Sequence, residues 1–93
     1  MATRAAQLVI IGRVQGVGFR AWAEEEAESR GLSGWIMNHR DGTVEALLYG
    51  DEGAVEQMIA ACRRGPLGAR VDSIDVGPGR EPSGTGFLVL PTA

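Results

Sequence analysis

Lysine does not occur in this sequence; all nine basic residues are arginine. Lysine nucleophiles, Schiff bases and the P-loop lysine are excluded together. Cysteine occurs once, at Cys62. No internal disulfide can form, and the expected compartment is a reducing cytoplasm. An excess of positive charge is also missing: nine arginines against twelve Asp and Glu give a net charge of −3. That argues against a nucleic-acid partner, because binding a phosphate backbone wants a basic face. No stretch approaches the ~20 apolar residues of a membrane helix. The apolar run in the leading MATRAAQLVIIGR is too short for a secretory core with its cleavage site. The chain reads as a soluble cytoplasmic protein with no membrane partner.

What is present suits one domain. The chain has 93 residues, 44% of them hydrophobic and 23% charged. That balance argues against disorder. A chain of this size buries somewhat over ~60% of its unfolded surface, enough for one modest core.

The elements follow from periodicity and punctuation. Gln7 to Ile11 is a short β-rich run and predicts a buried strand. A glycine-rich stretch follows. Phe19, Trp22, Ala23 and Ala27 then share one face of a helix, with Glu24, Glu25 and Glu28 opposite as its solvated side. Gly31 is placed to stop that helix. Leu32 to Asn38 and Thr43 to Tyr49 read as two antiparallel strands, with Asp41-Gly42 as the hairpin signal between them. Val55, Met58, Ile59 and Cys62 mark a second helix, capped by Asp51 and stopped by Gly65-Pro66. Ala69 to Val76 is a fourth strand whose alternation slips between Val71 and Ile74, which predicts a bulge or a change of face. Gly77 to Gly86 is a flexible loop, and Phe87 to Pro91 a final short strand. The compact solution to this order is a split βαβ arrangement with both helices on one face of an antiparallel sheet. Trp35 and Met37 then point to the other face, where no helix remains to cover them.

Function must come from a site rather than from this fold. The stretch GRVQGVGFR, Gly12 to Arg20, joins the first strand to the first helix. A helix N-terminus offers unpaired N–H groups and a positive dipole end. Glycines allow a loop to curl its amides into an anion nest, and an arginine beside it adds a bidentate fork. From these residues alone, a phosphate cradle and a merely tight turn both remain open. Other phosphate motifs fail. GxxxxGK[ST] is absent. Gly16 to Ala21 matches G-x-G-x-x-A, but a hairpin follows where a dinucleotide fold needs parallel strands. A Cys-x5-Arg loop would need cysteine where Val14 stands.

GRVQGVGFR, followed by GWIMNHRDGTVE (Gly34 to Glu45) and GPLGARVDSIDV (Gly65 to Val76), closely resembles the acylphosphatase family. The resemblance covers nearly the whole chain. It implies an α+β, ferredoxin-like α/β sandwich: βαββαβ plus a short final strand, two helices on one face of a five-stranded antiparallel sheet. It implies one acylphosphatase-like domain over residues 1–93 and hydrolysis of the carboxyl-phosphate bond of a small acyl phosphate, with no metal and no cofactor. Arg20 matches the family's phosphate-binding arginine and Asn38 its water-orienting asparagine. The cradle amides map onto Gln15, Gly16, Val17, Gly18 and Phe19, with Arg20 closing the loop. Inorganic phosphate or sulfate is then expected to compete for the cradle, and a monomer is expected. Met37, directly before Asn38, departs from the pattern where a basic residue is expected in relatives, which bears on substrate steering.

The chemistry suits these residue types. A carboxylate is a good leaving group, and phosphoryl transfer mainly needs positioning and charge stabilisation at the equatorial oxygens. An asparagine can both accept from and donate to a water. What the resemblance implies for the water's proton is transfer to the substrate's own phosphate. His39 is then a solvated turn residue, and Cys62, Trp22 and Phe19 belong to the core. Two other classes compete. One is a non-catalytic anion- or carbamoyl-phosphate-binding module, of the kind that heads larger carbamoyl-transfer proteins in hydrogenase maturation; no zinc-type cysteine cluster or second domain is expected here. The other is a sheet-surface RNA binder, which the negative charge and the missing basic-aromatic pattern disfavour.

Overall fold

The structure, a computed structural model, describes residues 2–93. Its elements are β1 (Thr3–Arg13), α1 (Phe19–Ser29), β2 (Ser33–Asn38), β3 (Val44–Asp51), α2 (Glu52–Arg64), β4 (Arg70–Pro78) and β5 (Phe87–Val89). The strands form one sheet in the order β4-β1-β3-β2-β5. Alternate residues of the central strands face the helices: Ala6, Leu8 and Ile10 from β1 and Val44, Ala46 and Leu48 from β3, all buried and cross-strand partners. The helices answer with Phe19, Ala23 and Ala27 from α1 and Val55, Met58, Ile59 and Cys62 from α2. A period of two thus meets a period of 3.6 over one core. Burying each of the larger side chains stabilises the fold by roughly 1.5–3 kcal/mol.

The helix ends follow from local chemistry. Gly31, at φ 69°, ends α1 in a left-handed turn. The Gly31 N–H donates to the Glu28 carbonyl and the Leu32 N–H to the Ala27 carbonyl, which also accepts from the Arg30 N–H, so the last carbonyls of the helix are paired. The carboxylate of Asp51 accepts from the Ala54 N–H at 3.1 Å and caps α2. Gly65, at φ 68°, follows Arg64 where that helix stops.

The expected irregularity in β4 is a bulge. Ile11 faces Ser73 while Gly12 faces Val71, so Asp72 has no partner on β1. This explains Gly12, where a Cβ would lie 2.1 Å from the Arg70 carbonyl oxygen.

Three expectations are corrected. β1 begins at Thr3, not Gln7, because residues 3–6 complete its pairing with Leu48 to Asp51. The sheet is mixed rather than wholly antiparallel, since β5 runs parallel to β2. β4 is antiparallel to β1, and β1 shares the direction of β2 through β3. A chain leaving β4 that crosses to the far edge and returns must therefore run with β2. That crossing also answers the third expectation, an uncovered outer face. The 79–86 connection packs over that face, with Gly79 against Leu47 and residues 82–86 beside Trp35. Leu47 is consequently only 5% exposed.

Candidate active site

The loop 14–18 hangs between two buried anchors, Val14 and Phe19, while Gly16 and Gly18 are exposed. Gly16 has φ 73° and Gly18 φ 75°. Nothing lies within 4 Å of a Cβ built at either position. Backbone conformation, not crowding, is therefore what asks for glycine here. Gly18 is the N-cap of α1 and supplies no side-chain cap, and the first turn of the helix contains no carboxylate. The first backbone N–H groups of α1 are left to face whatever occupies the space beyond the loop.

That space is an open cavity of about 550 Å³. Gln15, Gly16, Gly18, Phe19 and Arg20 line it together with Asn38 and Val89 to Pro91. Residues far apart in sequence thus share one concave site. Val17 is the exception among the sequence-predicted cradle residues: it does not line the cavity, and its side chain packs against the core. Arg20 Nη1 donates to the Leu90 carbonyl oxygen at 2.9 Å, which fixes one edge of the guanidinium. The Oδ1 of Asn38 is buried and finds no protein donor among the described residues. The Asn38 carbonyl accepts from the Ala93 N–H at 2.9 Å, so the chain end runs beside it.

Two residues, Glu24 and Leu90, and the side-chain role of Gln15 lay outside the sequence expectations. The Gln15 side chain donates to the carbonyls of His39 and Thr43 at 2.7 and 2.8 Å. Glu24 is half-buried and lines the cavity rather than belonging to the solvated face; its i+4 spacing from Arg20 was the available signal. Leu90 acts through a backbone carbonyl, which no side chain announces. His39 turns away, with Nε2 2.6 Å from Glu45 Oε1, and Glu45 also pairs with Gln7. Trp22 is half-buried at the core's edge, edge-to-face with Phe19 at 5.3 Å. Cys62 is buried away from the cavity, and burial pushes its thiol up to about 12. Among the described residues, no three His, Cys, Asp or Glu side chains are grouped to hold a metal ion.

A family model described as Acylphosphatase matches residues 6–89. The chain belongs to the acylphosphatase family. It is 53% identical over 91 residues to an acylphosphatase of Azorhizobium caulinodans, a match spanning 97% of this chain and 98% of that one. The solved acylphosphatase from Bacillus subtilis is similar in structure, with TM-score 0.88 and 36% identity over 96% of this chain and 99% of that chain. Full-length HypF in a phosphate- and nucleotide-bound form is also similar, with TM-score 0.88 and 27% identity over 98% of this chain but 12% of that one. Acylphosphatases are hydrolases of small acyl phosphates, and that is the activity this cavity has to support.

Proposed function

We propose that the cavity splits the carboxyl-phosphate bond of an acyl phosphate by direct attack of one water. Phosphate oxygens accept from the backbone amides of residues 15–20 and from the Arg20 guanidinium. Charge developing on those oxygens is thereby held by donors already in place, which need no reorganisation during the reaction. Asn38 holds the water in line with the leaving oxygen. Oxygen–phosphorus bond formation expels the carboxylate with its electron pair, and the water's proton passes to a phosphate oxygen.

The observation that carries this reading is the Oδ1 of Asn38, buried at the cavity wall without a protein donor. Such an acceptor costs roughly 1–3 kcal/mol unless something donates to it. In this reading the donor is a water held between Asn38 and the cradle. Direct attack is supported further by the lining, which contains no Ser, Thr, Cys or His. The reaction needs no metal in this scheme, because Arg20 and the amides supply the positive potential. Inorganic phosphate and sulfate compete for the same cradle. We take the unit to be a single domain over residues 1–93, acting as a monomer, and a cytoplasmic setting suits its free thiol.

The test is phosphate release from benzoyl phosphate in EDTA. Arg20→Gln and Asn38→Ala are each expected to lose roughly 10²–10³ in kcat. Full activity in either variant sinks the assignment. Glu24→Gln should keep kcat; a comparable loss there would make Glu24 the base and overturn the proton's route. The likeness to HypF favours a second reading, a module that binds an acyl or carbamoyl phosphate without turning it over. Phosphate binding by titration with no phosphate release in the same preparation would select it.

A further inference from the structure

We propose that Gln15 is a positioning residue whose side-chain amide clamps the phosphate loop to the mouth of the β2–β3 hairpin, setting the distance between bound phosphate and the water on Asn38. The inference rests on the roles proposed above for the loop and for Asn38.

The geometry is specific. Gln15 Nε2 donates to the His39 carbonyl at 2.7 Å and to the Thr43 carbonyl at 2.8 Å. These carbonyls face each other across the neck of the hairpin. Each already accepts once from the backbone: Thr43 from the His39 N–H at 2.9 Å, and His39 from the Gly42 N–H at 3.1 Å. A carbonyl has two lone pairs, so Gln15 supplies the second donor to both. Only the NH₂ end of an amide can serve two acceptors at once, so the partners settle which way this amide points.

The placement makes the clamp matter. Gln15 stands directly before Gly16 in the phosphate loop, and His39 stands directly after Asn38. Val17, between two exposed glycines, ties the loop to the core, and the Gln15 side chain ties it to the hairpin. The hairpin mouth is the end of β2 that carries Asn38. One side chain therefore joins the element that holds the phosphate to the element that holds the water. In-line attack is sensitive to such spacing: a misplacement of about 1 Å costs roughly 10²-fold in rate. Phosphate binding itself uses amides and Arg20, all on the loop side of the clamp. Loss of the clamp should therefore reach kcat before it reaches anion affinity.

The experiment compares wild type with Gln15→Ala, Gln15→Met and Gln15→Glu in benzoyl phosphate hydrolysis, with inorganic phosphate as inhibitor. Gln15→Ala and Gln15→Met should lose about 10- to 100-fold in kcat, with the phosphate inhibition constant changed less than about 3-fold. Gln15→Glu carries its own control. Its carboxylate cannot donate to either carbonyl, but the protonated acid can donate to one. Its kcat, relative to Gln15→Ala at each pH, should rise as pH falls through the carboxyl's titration. Amide hydrogen exchange at His39 and Gly42 should quicken in all three variants whether or not the protein turns over substrate. Wild-type kcat in Gln15→Ala and Gln15→Met overturns the proposal. So does an equal fall in kcat and phosphate affinity, or a Gln15→Glu profile that follows Gln15→Ala throughout. An inactive wild type whose exchange still responds to Gln15 would instead count against the proposed hydrolysis.

Discussion

Arg20 and Leu90 stand 70 residues apart in sequence, yet Arg20 Nη1 donates to the Leu90 carbonyl across 2.9 Å. The guanidinium is thus oriented by a backbone atom while its other donors remain for the cavity. A planar fork can satisfy both demands; a single ammonium cannot do so with the same geometry. Arg20→Lys keeps the charge and loses the fork. Its kcat/KM for benzoyl phosphate should fall roughly 10²- to 10³-fold, and phosphate affinity by titration should fall with it. Retention of wild-type kcat/KM would show that charge alone is enough.

Gly12 and Gly18 should respond differently to alanine, although they stand in one motif. At Gly18 the space is open and only the backbone conformation objects, at roughly 1–2 kcal/mol for a left-handed residue. At Gly12 the new Cβ would sit 2.1 Å from the Arg70 carbonyl oxygen and 2.8 Å from the Asp72 nitrogen, both backbone atoms of the bulge. The β1–β4 pairing beside the bulge would have to part. Urea unfolding should show Gly12→Ala as clearly the more destabilised, and Gly18→Ala as the variant whose activity falls further than its stability explains.

The site's legibility followed the range of its interactions. The glycine loop, the helix behind it, the Asp51 cap and the Gly31 stop all act within a few residues, where residue type and spacing carry the information. Arg20 and Asn38 were singled out by the family resemblance of two separate stretches, and the fold brings both to one cavity. The Leu90 carbonyl was not readable, because every residue has one. The partners of Gln15 are backbone carbonyls for the same reason. The direction of β5 depends on the path taken by residues 79–86, and that depends on Leu47 and Trp35 needing cover. Glu24 lines the cavity although the core pattern of α1 puts it on the solvated face, because that pattern records the core and not the cavity beside it.

Charge is unevenly placed. The protein carries a net −3, but arginines gather at the end of the molecule that holds the loop. Arg13 ends β1 directly opposite Arg70, Arg63 and Arg64 end α2, and Arg40 lies in the hairpin connection. The close approach of Gly65 to the Phe19 ring brings the end of α2 to the start of α1. Asp72 pairs with Arg70 at 3.1 Å and offsets part of the repulsion between Arg13 and Arg70. A dianionic substrate should be drawn to this end. Added sodium chloride should lower kcat/KM for benzoyl phosphate by screening, with kcat little changed. Arg63→Gln with Arg64→Gln should flatten that dependence. A kcat/KM that rises with salt would mean that the net negative charge governs the encounter.

Cys62 gives the protein an alkaline limit with a sign that can be worked out. Burial pushes the thiol from an ordinary 9.0 up to about 12, with Arg30 opposing the shift and Glu26 adding to it. Below pH 9 the thiol is protonated in both folded and unfolded chains, and the stabilisation from burying it is complete. Between 9 and 12 the unfolded chain releases its proton while the folded chain keeps it. Stability therefore falls as pH rises, by up to about 1.4 kcal/mol per pH unit from this group. Cys62→Ala lacks the slope. Urea midpoints measured from pH 7 to 11 should show the wild type's advantage over Cys62→Ala constant at first and shrinking above 9. In the native state the same thiol should resist a maleimide at pH 8, and label only as urea unfolds the chain. Rapid native labelling, or parallel pH curves for the two proteins, would place Cys62 outside the core.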